Sequence, residues 1–211
     1  MDSSSLIVVA GLLCLAAVAI LVVALVIAAR SRNARSRKPS STTPADPFRQ
    51  ADADADSLYG DPRTVKPGDL IEIRGRSYAV RGTLRFTESD WGWAEHLLDD
   101  ADGHKVWLSV EEDPDLELVL WHEVPTATVQ PGGHTVDFDG RRYVREESGR
   151  ATYTAVGTTG LNPQGTVRYH DYAAPDGPLL SFEAYGDGGR WEVGRGERLH
   201  RSELRIYPQA G

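Results

Sequence analysis

The segment from Trp93 to Glu112 constrains the fold of this chain more than any other. Apolar and polar residues alternate on both sides of Asp102-Gly103, and Asp and Gly tolerate the positive φ angles of a tight turn. This pattern predicts a β-hairpin whose strands each have two distinct faces. On the first strand Trp93, Glu95 and Leu97 share a face. On the second strand one face carries Val106, Leu108 and Val110, and the other carries Trp107, Ser109 and Glu111.

The region from Val65 to Pro208 is built of similar short segments, separated by Gly, Pro and Asp. They predict strands near 69–74, 77–86, 92–98, 104–111 and 115–122, and then near 134–138, 141–146, 151–156, 165–172, 178–185, 190–193 and 203–207. A helix is conceivable only over 88–99, where Gly92 disfavours it. This spacing is typical of small β-barrels and sandwiches, and the region is long enough for one domain.

Two parts of this region resemble each other. Gly75-Arg76-Ser77-Tyr78 is matched by Gly140-Arg141-Arg142-Tyr143, and the segment 107–111 is matched by 179–183. His96 precedes an Asp-Gly pair by the same spacing as His170 does. The fold class we predict is therefore mainly β, with two similar antiparallel units, residues 65–124 and 125–208, packed as small barrel-like or sandwich-like halves.

Residues 6–29 form an apolar run without a charge, about 36 Å long as a helix. This length spans the roughly 30 Å hydrocarbon core of a bilayer and predicts a single-pass transmembrane helix. A cleaved signal peptide would carry its basic residues before the run, whereas here they follow it: Arg30, Arg32, Arg35, Arg37 and Lys38. The positive-inside rule then places residues 1–5 outside the plasma membrane and the C-terminal domain in the cytoplasm.

Residues 30–64 combine this basic juxtamembrane segment with a linker of Pro, Ser, Thr and Ala-Asp repeats, which we expect to be disordered. From Pro39 onward the chain has 18 basic and 30 acidic residues, a net charge of −12. Such a domain would be repelled by nucleic acid, which we exclude as a partner. The single cysteine, Cys14, lies in the apolar run and cannot form an intramolecular disulfide.

Motifs for common chemistries are missing from the sequence. No histidine stands at metal-ligand spacing from another His or from Cys, and no phosphate loop, dinucleotide fingerprint or nucleophile elbow occurs. The sequence therefore predicts no metal, no cofactor and no catalytic residues. The Glu111-Glu112-Asp113 cluster can be read as a cation or acid–base site, but solvated charge at a strand end is the more ordinary interpretation.

The candidate ligand site consists of Trp93, Glu95, Trp107 and Glu111. If the hairpin register brings their faces together, two indoles and two carboxylates converge. Carboxylates attract an ammonium group, and each indole face adds a cation–π attraction of roughly 0.5–2 kcal/mol. The alternative interpretation is that these tryptophans belong to the β core, since Trp is heavily buried on average.

The run GDLIEIRGRSYAVRGTLRF, the segment Trp93 to Leu98 and the segment Trp107 to Glu112 resemble the bacterial domain-of-unknown-function 4178 family. The resemblance is strong over residues 65–124 and weaker beyond. It implies a domain that is often tethered to a membrane or joined to other modules, and it implies no activity and no catalytic residues.

Three functions are compatible with these observations. The first is a non-enzymatic, membrane-anchored interaction or scaffold module that docks a protein partner at the membrane. The second is a sensor of a cationic, polyamine-like molecule or a peptide, bound by the Trp/Glu face. The third is an enzyme, which would need a nucleophile–base pair that the sequence does not suggest.

Overall fold

The computed structural model describes residues 51–99, 101, 105–125 and 127–209, and all of them lie in one compact unit, Pro47–Gly211. The predicted membrane segment 6–29 and the basic residues that follow it lie outside the described residues. Among the helices that the structure does describe, none has the length and apolar character needed to cross a membrane.

The described chain is almost entirely β. An N-terminal helix α1 (Ala51–Tyr59) and a 3-10 turn (Pro62–Thr64) precede the first strand, and a second 3-10 turn (Arg201–Glu203) precedes the last one. The strands are β1 (Leu70–Ile73), β2 (Arg76–Thr87), β3 (Ala94–Asp99), β4 (Lys105–Glu112), β5 (Leu116–Glu123), β6 (Thr135–Phe138), β7 (Arg141–Gly157), β8 (Gln164–Ala173), β9 (Leu179–Tyr185), β10 (Glu192–Arg198) and β11 (Leu204–Tyr207).

Eight antiparallel strands close into a barrel. Around the barrel the strand order is β2-β3-β4-β5-β10-β9-β8-β7, and β7 pairs back onto β2. The long strand β2 makes this closure possible, because its residues 76–79 pair with β1 and its residues 82–87 pair with β7. A β-bulge between Val80 and Gly82 lies at this change of partner. The outer strands β11, β1 and β6 continue the sheet beyond the barrel.

Two hairpins that lead into the barrel have the same turn. Arg74-Gly75 joins β1 to β2 and Asp139-Gly140 joins β6 to β7, and all four residues have positive φ. Two successive positive φ angles define the type I′ turn, whose twist matches that of the flanking strands. Gly at the second position of each turn therefore serves the turn geometry directly.

Three apolar clusters hold these strands. The first lies on the outer face of β2–β5 and includes Ile71, Leu98, Leu108 and Leu204. The second lies on the outer face of β7–β10 and includes Tyr143, Tyr172 and Phe182. The third, smaller cluster is built around Leu84, Phe86, Ala151, Tyr153 and Val167, which the strand register places on the face that lines the barrel.

The predicted barrel-like, mainly β architecture is confirmed, and most strands lie within a few residues of their predicted positions. The conceivable helix over 88–99 is wrong, because Ala94–Asp99 pairs on both edges as a central strand. Residues 141–146 and 151–156 belong to one strand, β7, since a bulge near Glu147 keeps it paired with β8 throughout. Strand β10 begins at Glu192, two residues after the predicted start, and continues to Arg198 because it pairs with β5 and β9.

The expected disorder of residues 30–64 is wrong for its last part, because residues 51–64 form α1 and a 3-10 turn. Arg201, which is buried, explains this order. Its guanidinium donates to Asp56 Oδ1 at 2.8 Å and to the carbonyl oxygens of Gly60 and Leu204. Composition alone cannot reveal a partner that lies more than a hundred residues away.

Candidate functional site

The hairpin register places the four predicted ligand residues on one face. Strand β3 pairs with β4 so that Glu95 lies opposite Ser109 and Leu97 lies opposite Trp107. Trp93, Glu95, Trp107 and Glu111 therefore project to the same side of the sheet, as period-two alternation requires. This side is the interior of the barrel, and all four residues line cavities there. Whether they bind a ligand stays a prediction.

The second half of the barrel completes this interior. Across the β10–β9 and β9–β8 pairings, Glu183 lies opposite Glu192 and Tyr169, and Ser181 lies opposite Asp171. Trp121 of β5 also points inward, over Gly196 of β10. A Cβ atom at Gly196 would come within 2.4 Å of the Trp121 ring, so glycine is required for the indole to lie there.

Two chambers occupy the interior, and the same four residues, Glu95, Trp121, Ser181 and Glu183, border both. The first chamber has a volume of about 240 Å³ and is lined by Trp91, Trp93, Glu111, Glu117, Glu147 and Asp171 among others. The second has a volume of about 360 Å³ and is lined by Trp107, Leu161, Glu123, Tyr185 and Glu192 among others. Carboxyl groups and indoles thus form the walls of both chambers.

Glu95 and Glu183 form a carboxyl pair at the boundary between the chambers. Glu95 is only 9% exposed, and its Oε1 accepts a hydrogen bond from Trp93 Nε1 at 3.2 Å. Glu183 Oε2 accepts from the hydroxyl of Tyr185 at 2.8 Å. Burial raises the pKa of Glu95 to about 7, and the charge of Asp171 adds to the rise, while the hydrogen bonds with Trp93 and Glu183 oppose it. Burial raises the pKa of Glu183 well above its ordinary value, and the charge of Glu95 adds to that rise. Hydrogen-bonded carboxyls in one buried site resist ionising together.

Other carboxyls of the first chamber are also shifted. Burial raises the pKa of Asp171 to about 7, and the charges of Glu183, Glu147 and Glu111 add to the rise. Burial likewise raises the pKa of Glu111 to about 7, with Glu147 and Glu117 contributing. The common cause is a low-dielectric site in which like charges face one another.

Among the described residues that line the two chambers, one has a basic side chain. Arg198 lies in the first chamber and pairs with Glu117 at 3.2 Å and with Glu146 at 3.3 Å. Among the residues that the structure describes, no ion pair joins a basic side chain to Glu95, Asp171 or Glu183. The deepest acidic groups therefore lack a positive partner from the described part of the chain.

The Glu111-Glu112-Asp113 cluster is divided by the strand. Glu111 faces the chamber, whereas Glu112 is held outside by Arg63, whose Nε donates to Glu112 Oε2 at 2.7 Å. Asp113 follows the strand. Within the described ranges, no three His, Cys, Asp or Glu side chains are grouped as a metal site.

Sequence reasoning missed the half of the site that comes from residues 125–208, as well as Trp121. A signal for it was present in the internal resemblance, where Ser109 and Glu111 align with Ser181 and Glu183. Both aligned pairs prove to line the first chamber. The pairing of Glu95 with Glu183 depends on how the two halves of the barrel meet, and no local pattern contains that information.

These features define a class of protein: a closed eight-stranded antiparallel barrel whose interior is a carboxylate- and indole-lined cavity. The chain belongs to the family described as domain of unknown function (DUF4178), whose profile matches residues 66–201. The match covers strands from both halves of the barrel.

The chain is also similar to uncharacterized proteins of Mycobacterium bovis and Mycobacterium tuberculosis. Each is 39% identical over 175 residues, which cover 79% of this chain and 84% of the relative. No solved structure matches the chain significantly.

Proposed function

We propose that the barrel interior binds an organic cation that carries ammonium groups, and that the domain acts as a non-enzymatic sensor of this cation. The observation that carries the proposal is a cavity in which Glu95 is buried and Asp171 and Glu183 are half-buried, without a basic partner for any of them among the described residues. A buried carboxylate without a counter-ion is costly, and a bound ammonium group would remove that cost.

The walls of the cavity favour an organic cation over a bare metal ion. Trp93, Trp107 and Trp121 all border the chambers, and indole faces attract ammonium groups while packing against methylene groups. Trp93 itself stacks on Phe86, with ring centroids 4.6 Å apart, so its position is fixed before any ligand arrives. Binding to a preformed site loses less conformational entropy.

Calorimetric titration of spermidine into the full-length chain tests this proposal. We expect saturable binding in the wild-type protein and at least about tenfold weaker binding in Glu95→Gln, which removes one buried charge at constant shape. Glu112→Gln is the matched control, because Glu112 lies outside the barrel and should leave binding unchanged. Absence of binding at millimolar spermidine would contradict the proposal.

We further propose that residues 6–29 anchor the chain in the plasma membrane as a single-pass helix, with residues 1–5 outside and the barrel in the cytoplasm. The support is the apolar run and the basic cluster from Arg30 to Lys38. A reporter that is active only in the cytoplasm, fused to Gly211, should then be active. Activity of an export-dependent reporter at the same position would reverse this orientation.

The two halves of the barrel, residues 65–124 and 125–208, are proposed to be copies of one β unit. Each half supplies a five-strand meander, β1–β5 or β6–β10, and each meander opens with the same type of turn. Each also has its own apolar cluster on its outer face. The scaffold function, with a protein partner at the membrane, stays a prediction, and the cavity favours the sensor over it.

A further inference from the structure

The division of the interior into two chambers has a consequence for the length of the ligand. Along β5, Glu117 borders the first chamber, Trp121 borders both, and Glu123 borders the second. Along β9, which runs in the same direction, Leu179 borders the first chamber, Ser181 and Glu183 border both, and Tyr185 borders the second. The acidic groups nearest the boundary are closer together than these strand ends: Asp171 of the first chamber lies opposite Ser181, and Glu192 of the second lies opposite Glu183. Ser181 and Glu183 are two positions apart on β9, which is about 7 Å along the strand.

Each chamber has its own acidic groups. In the first chamber Arg198 is paired with Glu117, and this leaves Glu111, Glu147 and Asp171 to attract a cation. In the second chamber Glu123 lies opposite Gly194, two residues from Glu192, and both carboxyls are exposed at the edge of the chamber. Glu123 also accepts a hydrogen bond from Trp107 Nε1 at 3.2 Å. Each chamber therefore offers negative charge to a cation of its own.

The boundary between the chambers is suited to an alkyl chain. The indole of Trp121 lies against Gly196 and borders both chambers, and the Glu95–Glu183 pair offers one further negative charge there. Methylene groups gain free energy on leaving water to pack against an indole, and a hydrated metal ion has no such apolar surface to bury.

We propose that the ligand is a linear polyamine-type molecule, with at least two ammonium groups joined by methylene chains. It lies along the barrel axis past Glu95 and Glu183, with one ammonium group in each chamber. This inference rests on the proposed cation-binding function and adds the number and spacing of the charges.

The experiment compares amines that differ only in their second charge. Butylamine and putrescine have the same four-carbon chain length, and cadaverine, spermidine and spermine extend the series. In calorimetric titrations of the full-length wild-type chain, we expect putrescine to bind at least about tenfold more tightly than butylamine, with affinity rising further toward spermine.

A double variant locates the second charge. Glu123→Gln combined with Glu192→Gln neutralises the second chamber and should reduce spermine affinity at least about tenfold, while butylamine affinity stays the same. If this variant does not fold, as judged by circular dichroism, the wild-type amine series decides alone. Glu112→Gln again serves as the control outside the barrel.

The possible results separate the two proposals. Equal affinities for butylamine and putrescine would show a site for one ammonium group, which overturns the two-chamber inference and leaves the cation-binding function standing. Failure of every amine to bind, spermine included, would overturn both. Binding of spermine that survives unchanged in the folded double variant would place both charges in the first chamber and also contradict the inference.

Discussion

Asp69 and Glu95 are both buried carboxyls, yet their surroundings have opposite effects on them. Asp69, 1% exposed, lies beside the apolar outer cluster and accepts hydrogen bonds from Lys66 Nζ and from the backbone N–H of Gln209, both at 2.9 Å. Burial alone would raise its pKa, but these donors outweigh burial and hold the pKa below its ordinary 3.8. Glu95 lies inside the barrel, where burial raises the pKa to about 7 and another carboxyl is its neighbour.

This difference reflects a difference between the two faces of the sheet in whether buried charges are paired. On the outer face, charged groups that become buried are paired, as Asp69 and Arg201 show, and apolar clusters supply the stability. On the inner face, buried carboxyls are left without a described counter-ion. A site whose charges are left uncompensated costs stability, and this cost is the reason for proposing that a ligand completes the site.

The largest effect on stability is expected at the outer face. Leu108 is fully buried in the first apolar cluster, and Leu108→Ala should lower the free energy of unfolding by about 2–5 kcal/mol. Its neighbour Trp107 faces the chamber and is only partly buried, so Trp107→Ala should cost less, about 1–2 kcal/mol, despite the larger side chain.

Urea denaturation of both variants measures this difference. If Trp107→Ala proves as destabilising as Leu108→Ala, the inner face contributes to the core as much as the outer face does, and the indole has a structural role. Spermidine titration of Trp107→Ala then gives the second readout, since a wall of the binding site should lose affinity when it is truncated.

The division between the faces was partly readable from the sequence. Alternation within Trp93 to Glu112 separates the apolar Val106, Leu108 and Val110 from Trp107 and Glu111, because strand geometry imposes a period of two. Sequence alternation does not say which face lies inside a barrel. That depends on the pairing of β7 with β2 and of β5 with β10, which join segments distant in the chain.

Other features lacked a local signal for the same reason. The order of residues 51–64 depends on Arg201, and the carboxyl pair depends on Glu183, so both arise from contacts over long sequence separations. The turns were easier to predict from the sequence, because Gly75 and Gly140 are local signals for backbone with positive φ.

A smaller effect is expected at Asp69. Asp69→Asn keeps the shape but removes the charge that Lys66 pairs with, and should lower the free energy of unfolding at pH 7 by about 1–2 kcal/mol. Since the pKa of Asp69 is lower in the folded state, ionised Asp69 contributes its full stabilisation above pH 3.8. This stabilisation is lost as the pH falls through the folded-state pKa. The variant and the wild type should therefore converge in strong acid.

Asp137→Asn is a suitable control for this variant. Asp137 pairs with Arg142 on the surface, and its removal should leave the urea midpoint unchanged. Equal effects of the two substitutions would mean that the pairing around Asp69 contributes no more than a surface ion pair does.

The smallest change in stability, with the opposite sign, is expected at Glu95. Because the folded-state pKa is raised from 4.5 to about 7, the folded protein holds a proton that the unfolded chain has already released. The free energy of unfolding therefore falls as the pH rises from about 4.5 to about 7, and stays lower above this window. The glutamine in Glu95→Gln stays neutral over this whole pH range, so the variant avoids this loss of stability. At pH 8 it should be more stable than the wild type, by an amount of order 1 kcal/mol.

Urea denaturation at pH 5 and pH 8 tests the sign of this effect. Glu112→Gln is the control, because the hydrogen bond from Arg63 holds the pKa of Glu112 below its ordinary value. The wild type and the control should each lose stability between the two pH values, and Glu95→Gln should lose less. An identical loss in all three proteins would mean that Glu95 is ionised in the folded state at pH 5, as it is in water. Saturating spermidine should reduce the loss in the wild type, since an ammonium group beside Glu95 stabilises the charge that burial opposes.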